Sequence, residues 1–297
     1  MYPARIEQAI ERIPGLGENG GMIARAIHGA VLGGGERVRK AADILHGVWL
    51  GHPLHPVLTD IPIGAWTLAV MCDLVAAQRG SAEAARMGDT LTIIGAVAAV
   101  PTAIAGVADY SAIDESATAL ATAHGLLNSA GLVLNLVSIR DRASGNRNRG
   151  VLLSTVAFGL LNASAWMGGE MVYHKRVGVD HSEASDQPTQ WRAILDATSL
   201  PERAAKRVEV EGAPVLLYRD GNDVYAIGAV CSHAGGPLDE GTVEGGCVQC
   251  PWHDSVFDLR DGSVVHGPAT FPEPAYDARI RGEKIELRGR AAMPSSS

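Results

Sequence analysis

Four long apolar runs constrain the fold of this chain more than any other feature of its sequence. Each run is about 17–23 residues long, which at a helical rise of ~1.5 Å per residue approaches the ~30 Å hydrocarbon thickness of a bilayer. Asp73 is the only charged residue inside them, whereas the helices of a soluble bundle would each show a polar face. The runs predict an all-α four-helix transmembrane bundle, and they occupy residues 61–77, 91–108, 117–139 and 151–167.

Small and polar side chains recur within these runs. Glycine and alanine are frequent, and small residues let membrane helices approach one another closely. Four polar side chains are predicted to form hydrogen bonds between helices, and they are Asn128, Asn135, Asn162 and Ser164. We interpret them as packing elements rather than as a substrate path.

The chain changes character on both sides of this membrane domain, which we bound at residues 51–175. Residues 1–50 contain three amphipathic helical segments, which suit either a membrane surface or packing on the chain's own core. The polar stretch at 176–190 is predicted to be a linker. Residues 191–290 alternate short strands with turns, which predicts a small all-β domain, and residues 291–297 are a tail.

Charge and cysteine content exclude several classes of protein. The formal net charge of −8 argues against a nucleic-acid partner, because such a surface needs a basic stripe. The chain has four cysteines, and Cys72 lies in an apolar run far from the other three, so no disulfide framework is expected. The first thirty residues show neither a secretory signal nor a twin-arginine pair.

Two cysteine–histidine pairs stand out in the predicted β domain. Cys231 and His233 form Cys-x-His, and after sixteen intervening residues Cys250 and His253 form Cys-x-x-His. A zinc ion accepts two cysteines and two histidines, although structural zinc sites usually take two cysteines from one loop. One donor of each kind per loop favours a [2Fe–2S] cluster, whose two irons take different ligands. Cys247 is a further candidate ligand nearby.

The residues around these pairs resemble a Rieske domain. The resemblance rests on CSHAGGPL at 231–238, CPWHDSVFD at 250–258 and the later Gly267-Pro268-Ala269, which is similar to the Pro loop that covers the cluster. It implies that two cysteines bind one iron and two histidines the other, with Cys247 a bystander in a strand or turn. The implied metal ligands are Cys231, Cys250, His233 and His253.

Four neighbouring positions indicate the Rieske subtype. Respiratory-complex members carry a disulfide between the two loops, but Gly236 and Trp252 stand where its cysteines would be. The chain therefore resembles the ferredoxin-type branch. Ser255 stands where a hydroxyl donates to a cluster sulfur, and Phe257 where high-potential members have a tyrosine. Because fewer donors stabilise the reduced cluster less, we expect a potential below the top of the Rieske range.

Histidines also mark the ends of the predicted membrane helices. The stretch GHPLHPVLTDIPIGAW at 51–66 resembles an uncharacterised bacterial family of four-helix membrane proteins, a domain of unknown function that implies a fold but no activity. Because the helices alternate in direction, their flanking histidines fall on one membrane side. The preferred ligands for a haem b or another metal are His55, His124 and His174, with His52 as substitute; quinone contact and a purely interfacial role are the alternatives.

Together these features predict a membrane-anchored Rieske electron-transfer protein with the lipid bilayer and an unidentified redox partner as its contacts. The alternatives are a quinol-oxidising or haem-bearing oxidoreductase component, or a membrane-tethered ferredoxin that serves a soluble oxygenase.

The sequence gives conflicting signals on which side of the membrane the β domain lies. Six arginines lie at 78–89 and 140–150 against none at 109–117, which by the positive-inside rule puts the Rieske domain outside. The missing export signal and the missing disulfide favour the cytoplasmic side of the cell membrane, which we adopt.

Overall fold

The computed structural model describes residues 2–182 and 187–290, and it divides into two compact units. The first comprises Met1–Val38 and Pro53–Val177, and the second comprises Arg39–His52 and Gly178–Ser297. Part of the predicted linker, residues 183–186, and the predicted tail at 291–297 lie outside the described residues. The fold is therefore multidomain, with a helical unit followed by a β unit.

Within the described residues the helices number seven, and four of them form the predicted bundle. These four are long and apolar enough to cross a membrane, which confirms the predicted helix-bundle fold class. The helices are α1 Tyr2–Glu11, α2 Leu16–Gly33, α3 Gly35–His46, α4 Leu54–Arg79, α5 Ala82–Ser111, α6 Thr118–Ala143 and α7 Arg147–Tyr173.

Local sequence signals fix the turns of this bundle. After α4, Gly80 takes a left-handed conformation with φ of 65°, and Ser81 then caps α5 by accepting a hydrogen bond from the Ala84 N–H. Helices α4 and α5 pair closely, as do α6 and α7. Gly95 of α5 lies against the Trp66 indole of α4, where a Cβ would overlap the ring. Small residues thus bring these helices together.

The first two amphipathic helices pack on the bundle. Ile10 of α1 is buried with Leu120 of α6 and Met167 of α7. Gly20 of α2 is buried, and a Cβ there would overlap side chains of Tyr110 and Thr122. Of the two roles that the sequence left open for these helices, the structure shows packing on the chain's own core.

Buried charges join the ends of the four long helices. Asp73 of α4 accepts from Arg142 of α6 at 2.5 Å and from Arg147 of α7 at 2.6 Å, and Asp89 of α5 accepts from Arg142 at 2.6 Å. The Arg142 and Asp73 side chains are 3% and 4% exposed. We call these four residues the Asp73 network, and it holds all four helices at one end of the bundle.

The predicted interhelical hydrogen bonds are wrong for the three asparagines. Asn128 contacts the imidazole of His124, Asn135 donates to the Gly131 carbonyl and Asn162 donates to the Phe158 carbonyl. Each partner lies four residues earlier on the same helix, because the amide of an asparagine reaches back one turn. Ser164 does join two helices, since its hydroxyl donates to the His124 carbonyl at 3.1 Å.

The second unit contains two antiparallel sheets. A six-stranded sheet has the order β1-β10-β9-β4-β3-β2, and a four-stranded sheet has the order β5-β6-β7-β8. The described strands are β1 Arg192–Asp196, β2 Ala205–Val210, β3 Ala213–Asp220, β4 Asp223–Gly228, β5 Thr242–Glu244, β6 Cys247–Gln249, β7 Val256–Asp258, β8 Val264–His266, β9 Ala275–Arg281 and β10 Lys284–Gly289.

Two buried clusters fill the β unit. One contains Leu200, Leu217 and Ile285 within the large sheet. The other lies between the sheets, where fully buried Phe257 and Leu238 pack with Cys231 and Cys250. The second core therefore positions both cysteines of the predicted iron site.

A segment that precedes the membrane helices belongs to the β unit. Residues Arg39–His52, the last part of α3 and the turn after it, group with the strands rather than with the bundle. The sequence predicts instead that residues 39–50 belong with the other amphipathic helices at 1–50.

Candidate functional site

Two loops carry the four predicted ligands. The first follows β4 and is closed by backbone hydrogen bonds from Cys231 N–H to the Gly236 carbonyl and from Gly235 N–H to the Cys231 carbonyl, both 2.8 Å. Gly235 has a φ of 80°, which a side chain would strain. The second connects β6 to β7 and is closed by Cys250 N–H donating to the Ser255 carbonyl at 2.8 Å.

These loops bring like donors together. The buried thiols of Cys231 and Cys250 are within hydrogen-bonding reach of each other. The imidazoles of His233 and His253 lie edge to face, with ring centroids 5.0 Å apart. The two thiols are therefore adjacent to each other, and so are the two imidazoles. Such a donor set fits a [2Fe–2S] cluster with two sulfur ligands on one iron and two nitrogen ligands on the other.

Glycine is required where the loops meet. A Cβ at Gly236 would lie 2.8 Å from the Cys250 sulfur and 3.2 Å from the Trp252 ring. A larger residue at position 236 would displace the Cys250 thiol, so the close approach of the two loops depends on a glycine there.

The two thiols have pKa values that move in opposite directions. The pKa of Cys250 is lowered to about 7, first by the hydrogen bond from the Cys231 thiol and then by backbone groups of Trp252 and His253. The pKa of Cys231 is raised, because its proton is shared with the Cys250 sulfur and because it is buried. One thiolate at this position is the species that binds metal.

Burial differs between the two kinds of donor. Cys231 and Cys250 are 1% and 2% exposed, whereas both imidazoles are half-buried. Trp252, between the second cysteine and histidine, is 52% exposed. The nitrogen side of the site therefore faces the surface of the β unit, and the sulfur side faces its core.

The segment that follows β8 joins the two loops. Ser255 is buried, and its hydroxyl accepts from the Ala269 N–H at 3.0 Å, which leaves the hydroxyl proton for a further acceptor. Ser232, between the first two ligands, donates its N–H to Glu273 at 2.6 Å and its hydroxyl to the Phe271 carbonyl at 2.7 Å. Residues 267–273 thus contact both loops.

Cys247 lies apart from this arrangement. It begins β6 and pairs in register with Glu244 and Asp258 on the neighbouring strands. Burial raises the pKa of its thiol, and Asp258 raises it further. All four cysteines are free thiols. The strand position agrees with the predicted bystander role, which stays a prediction.

Glu273 is a buried residue of this site that the sequence analysis missed. It is 2% exposed, and its Oε2 has no hydrogen-bond partner among the described residues. Burial is the main cause that raises its pKa to about 8 from an ordinary 4.5, against the hydrogen bonds from Ser232. Sequence alone gives no sign of it, because its partner Ser232 is 41 residues away along the chain.

The Glu273 pKa predicts a pH dependence of stability. Because the folded protein holds this proton more tightly than the unfolded chain, the stabilising contribution is complete below about pH 4.5 and is lost as pH rises through about 8. The slope is up to ~1.4 kcal/mol per pH unit. We expect Glu273→Gln, which keeps an acceptor for Ser232, to remove this slope in thermal loss of visible absorbance between pH 6 and 9. Exposed Glu209→Gln is the control, and an unchanged slope in Glu273→Gln would contradict the assignment.

The predicted membrane histidines do not come together as a set of three. His55 and His124 lie edge to face with centroids 6.3 Å apart. His174 instead contacts Glu170 at 2.7 Å and Glu7 at 3.4 Å. Within the described part of the chain, Glu7, Glu170 and His174 form the only group of three metal-binding side chains whose ligand atoms lie within 4.8 Å of one another.

The two facing imidazoles already have hydrogen-bond partners. His55 Nδ1 lies 2.9 Å from the Thr102 carbonyl, and His124 Nδ1 lies 2.8 Å from the Ser164 carbonyl. The other ring nitrogen of His124 contacts Asn128 at 2.9 Å. Coordination by His124 would break these contacts. A haem or metal in the bundle stays a prediction, and His52 is exposed.

Comparisons with known proteins agree with this division. Residues 190–277 match the family described as Rieske [2Fe-2S] domain, and residues 51–181 match the family described as Predicted membrane protein (DUF2231). The predicted fusion of these two domains is confirmed.

Three relatives each match a quarter to two fifths of the chain. The anthranilate 1,2-dioxygenase ferredoxin subunit of Burkholderia cepacia is 38% identical over 25% of this chain and 68% of its own length. The 3-phenylpropionate/cinnamic acid dioxygenase ferredoxin subunit of Shigella boydii is 34% identical over 32% of this chain and 90% of its own length. Apoptosis-inducing factor 3 of Homo sapiens is 29% identical over 38% of this chain, which spans 19% of that protein.

Proposed function

Since the chain belongs to the Rieske [2Fe-2S] family and carries a second domain of the DUF2231 family, we propose that it is a one-electron carrier held at the cell membrane. A Rieske cluster supplies a one-electron couple when bound. The observation that carries the proposal is the graded burial of the four donors. The thiols are enclosed in the core, and the imidazoles reach the surface where a partner can exchange an electron.

Each residue of the site has a distinct role in this proposal. Cys231 and Cys250 would hold one iron as thiolates, and His233 and His253 would hold the other. Ser255 would donate a hydrogen bond to the bound cluster, because its oxygen accepts from the Ala269 N–H and its hydroxyl proton is left for a further acceptor. That donor stabilises the more negative reduced state.

Outward apolar side chains support membrane anchoring. Val97, Val133 and Leu152 on the long helices are 68%, 58% and 62% exposed. Soluble proteins rarely show extended apolar patches, whereas lipid solvates such a surface. The bundle then serves as an anchor, and the hydrogen bonds of His55 and His124 favour a structural role for these imidazoles over haem ligation.

The relatives point to a soluble partner. Two of them are named as ferredoxin subunits of dioxygenase systems, and on that basis we propose that a soluble reductase or oxygenase exchanges electrons with this chain. The alternative is quinol oxidation in the bundle. Four free cysteines suit a reducing compartment, so the proposal puts the β unit on the cytoplasmic side.

One vesicle experiment tests the carrier, its anchoring and its sidedness. Membranes from cells that express the full chain are washed at high salt, and the EPR signal of the reduced cluster is recorded. We expect the signal to stay with the membranes. In inverted vesicles, an added soluble NADH-dependent flavin reductase should reduce the cluster and generate the EPR signal, because the cytoplasmic face of the membrane is accessible there. In intact spheroplasts the same reductase should generate none.

The outcomes separate the alternatives. Release of the signal by salt would contradict anchoring, and reduction in spheroplasts alone would put the β unit outside. Reduction by an added quinol without the reductase, or haem bands in the reduced-minus-oxidised spectrum, would favour the quinol-oxidising or haem-bearing component. A Cys250→Ser variant, which should give no signal in either preparation, controls for other membrane clusters.

A further inference from the structure

The segment Arg39–His52 contacts the candidate cluster site from outside the Rieske motif. Asp43 of α3 accepts two hydrogen bonds from the loop after β8, one from Gly267 N–H at 2.9 Å and one from His266 Nδ1 at 2.8 Å. The Asp43 and His266 side chains are 15% and 14% exposed. A partly enclosed carboxylate that accepts from both a backbone amide and an imidazole is a specific contact.

Further contacts surround this carboxylate. The Arg39 guanidinium donates to the Asp254 carbonyl at 3.0 Å, next to the ligand His253. A Cβ at Gly267 would lie 3.2 Å from Val48 and 3.4 Å from the His46 ring. The segment therefore packs closely on the loop after β8 and also reaches the second ligand loop.

These contacts continue into the site. Two residues after Gly267, Ala269 N–H donates to the hydroxyl of buried Ser255. Asp43 fixes the near end of this short loop, and Ser255 fixes the far end. A shift of Gly267 would therefore be transmitted to Ser255 on the second ligand loop.

We propose that Asp43 is a positioning residue for the electron-transfer site. It holds residues 266–269 in place through Gly267 and His266, and its negative charge disfavours the reduced state, which carries one more negative charge. This inference rests on the proposed function. It makes a segment that precedes the membrane helices part of the redox unit, and it assigns that segment an effect on the potential.

Two substitutions in the full chain separate the effect of the Asp43 charge from the effect of its hydrogen bond to the loop. Asp43→Asn keeps an acceptor for Gly267 N–H and removes the charge, and Asp43→Ala removes both. For Asp43→Asn we expect the reduced-to-oxidised ratio at a fixed potential to rise about threefold, which is ~28 mV at 59 mV per tenfold change. For Asp43→Ala we expect in addition an altered EPR line shape. The loop loses its contact at Gly267, and the resulting shift of Ala269 moves Ser255. Asp196→Asn, an exposed charge on β1, is the control and should leave both unchanged.

Each result bears on the proposal. If both Asp43 variants match Asp196→Asn in midpoint and line shape, Asp43 has no positioning role. If the variants lose the cluster, hydrogen exchange of the Gly267 backbone amide tests the Asp43 contact instead. Exchange that is faster than in the unsubstituted chain supports the contact, and unchanged exchange overturns it. Absence of any EPR signal in the unsubstituted protein would instead refute the proposed function itself.

Discussion

Substitution of Cys231, Cys250, His233 or His253 by alanine is expected to abolish the EPR signal of the reduced protein. Each side chain supplies a separate bond to iron in the proposed site, so the loss of one leaves an iron with an incomplete ligand set. The unsubstituted chain should contain two irons and two acid-labile sulfides. Iron and sulfide analysis of the purified full chain, together with EPR of the dithionite-reduced sample, measures both.

Cys247→Ser is the matched control for these ligand variants. The residue is a nearby cysteine of the same unit, but it lies at the start of β6 and pairs with Glu244 and Asp258. We expect its cluster content and EPR signal to equal those of the unsubstituted chain. Loss of the cluster in Cys247→Ser, or stoichiometric zinc in place of iron, would contradict the ligand assignment.

Arg142→Met is expected to destabilise the helical unit by about 3 kcal/mol, because it leaves buried Asp73 without its shortest partner. Arg147 still contacts Asp73 in this variant. The expected loss of stability is therefore at the lower end of what the removal of one partner from a buried ion pair usually costs. Thermal unfolding of the full chain in detergent, followed by far-ultraviolet circular dichroism, measures the change.

Arg149→Gln is the control for this prediction. Arg149 lies on the neighbouring helix α7 and pairs with Asp141 of α6, but its side chain is 68% exposed, so its removal should change stability by less than about 1 kcal/mol. The double variant Asp73→Asn with Arg142→Met should lose less than the sum of the single losses, since it removes both buried charges. Equal unfolding temperatures for Arg142→Met and Arg149→Gln would show that the Asp73 network does not contribute to the stability of the helical unit.

Local patterns in the sequence predict the bundle and the ligand loops well. The apolar runs are long enough to predict α4 to α7, and the short apolar segments between turn residues in 207–230 predict β2, β3 and β4. The short strands β5, β6 and β8 have three residues each, too few for a periodic signal, and only the sheet pairing defines them. The four proposed ligands come together because each pair shares one short loop.

Contacts between distant parts of the chain could not be predicted in this way. Asp43 and Gly267 are 224 residues apart, and nothing in the pattern around Asp43 distinguishes it from a solvated charge on an amphipathic helix. The directions of the membrane histidine side chains could not be predicted for a related reason. Topology assigns His55, His124 and His174 to one end of the bundle, but the direction of each side chain depends on helix rotation. In the structure that rotation turns His174 toward Glu170 and Glu7.

The assignment of Arg39–His52 to the β unit makes the Rieske unit discontinuous, with the whole membrane bundle inserted into it between residues 52 and 178. The polypeptide therefore passes between the two units three times, after residues 38, 52 and 177, and a single proteolytic cut after residue 177 leaves the other two covalent connections intact. A recombinant fragment that starts at residue 178 would also lack Asp43 and Arg39, so its potential would describe a different site from that of the full-length protein.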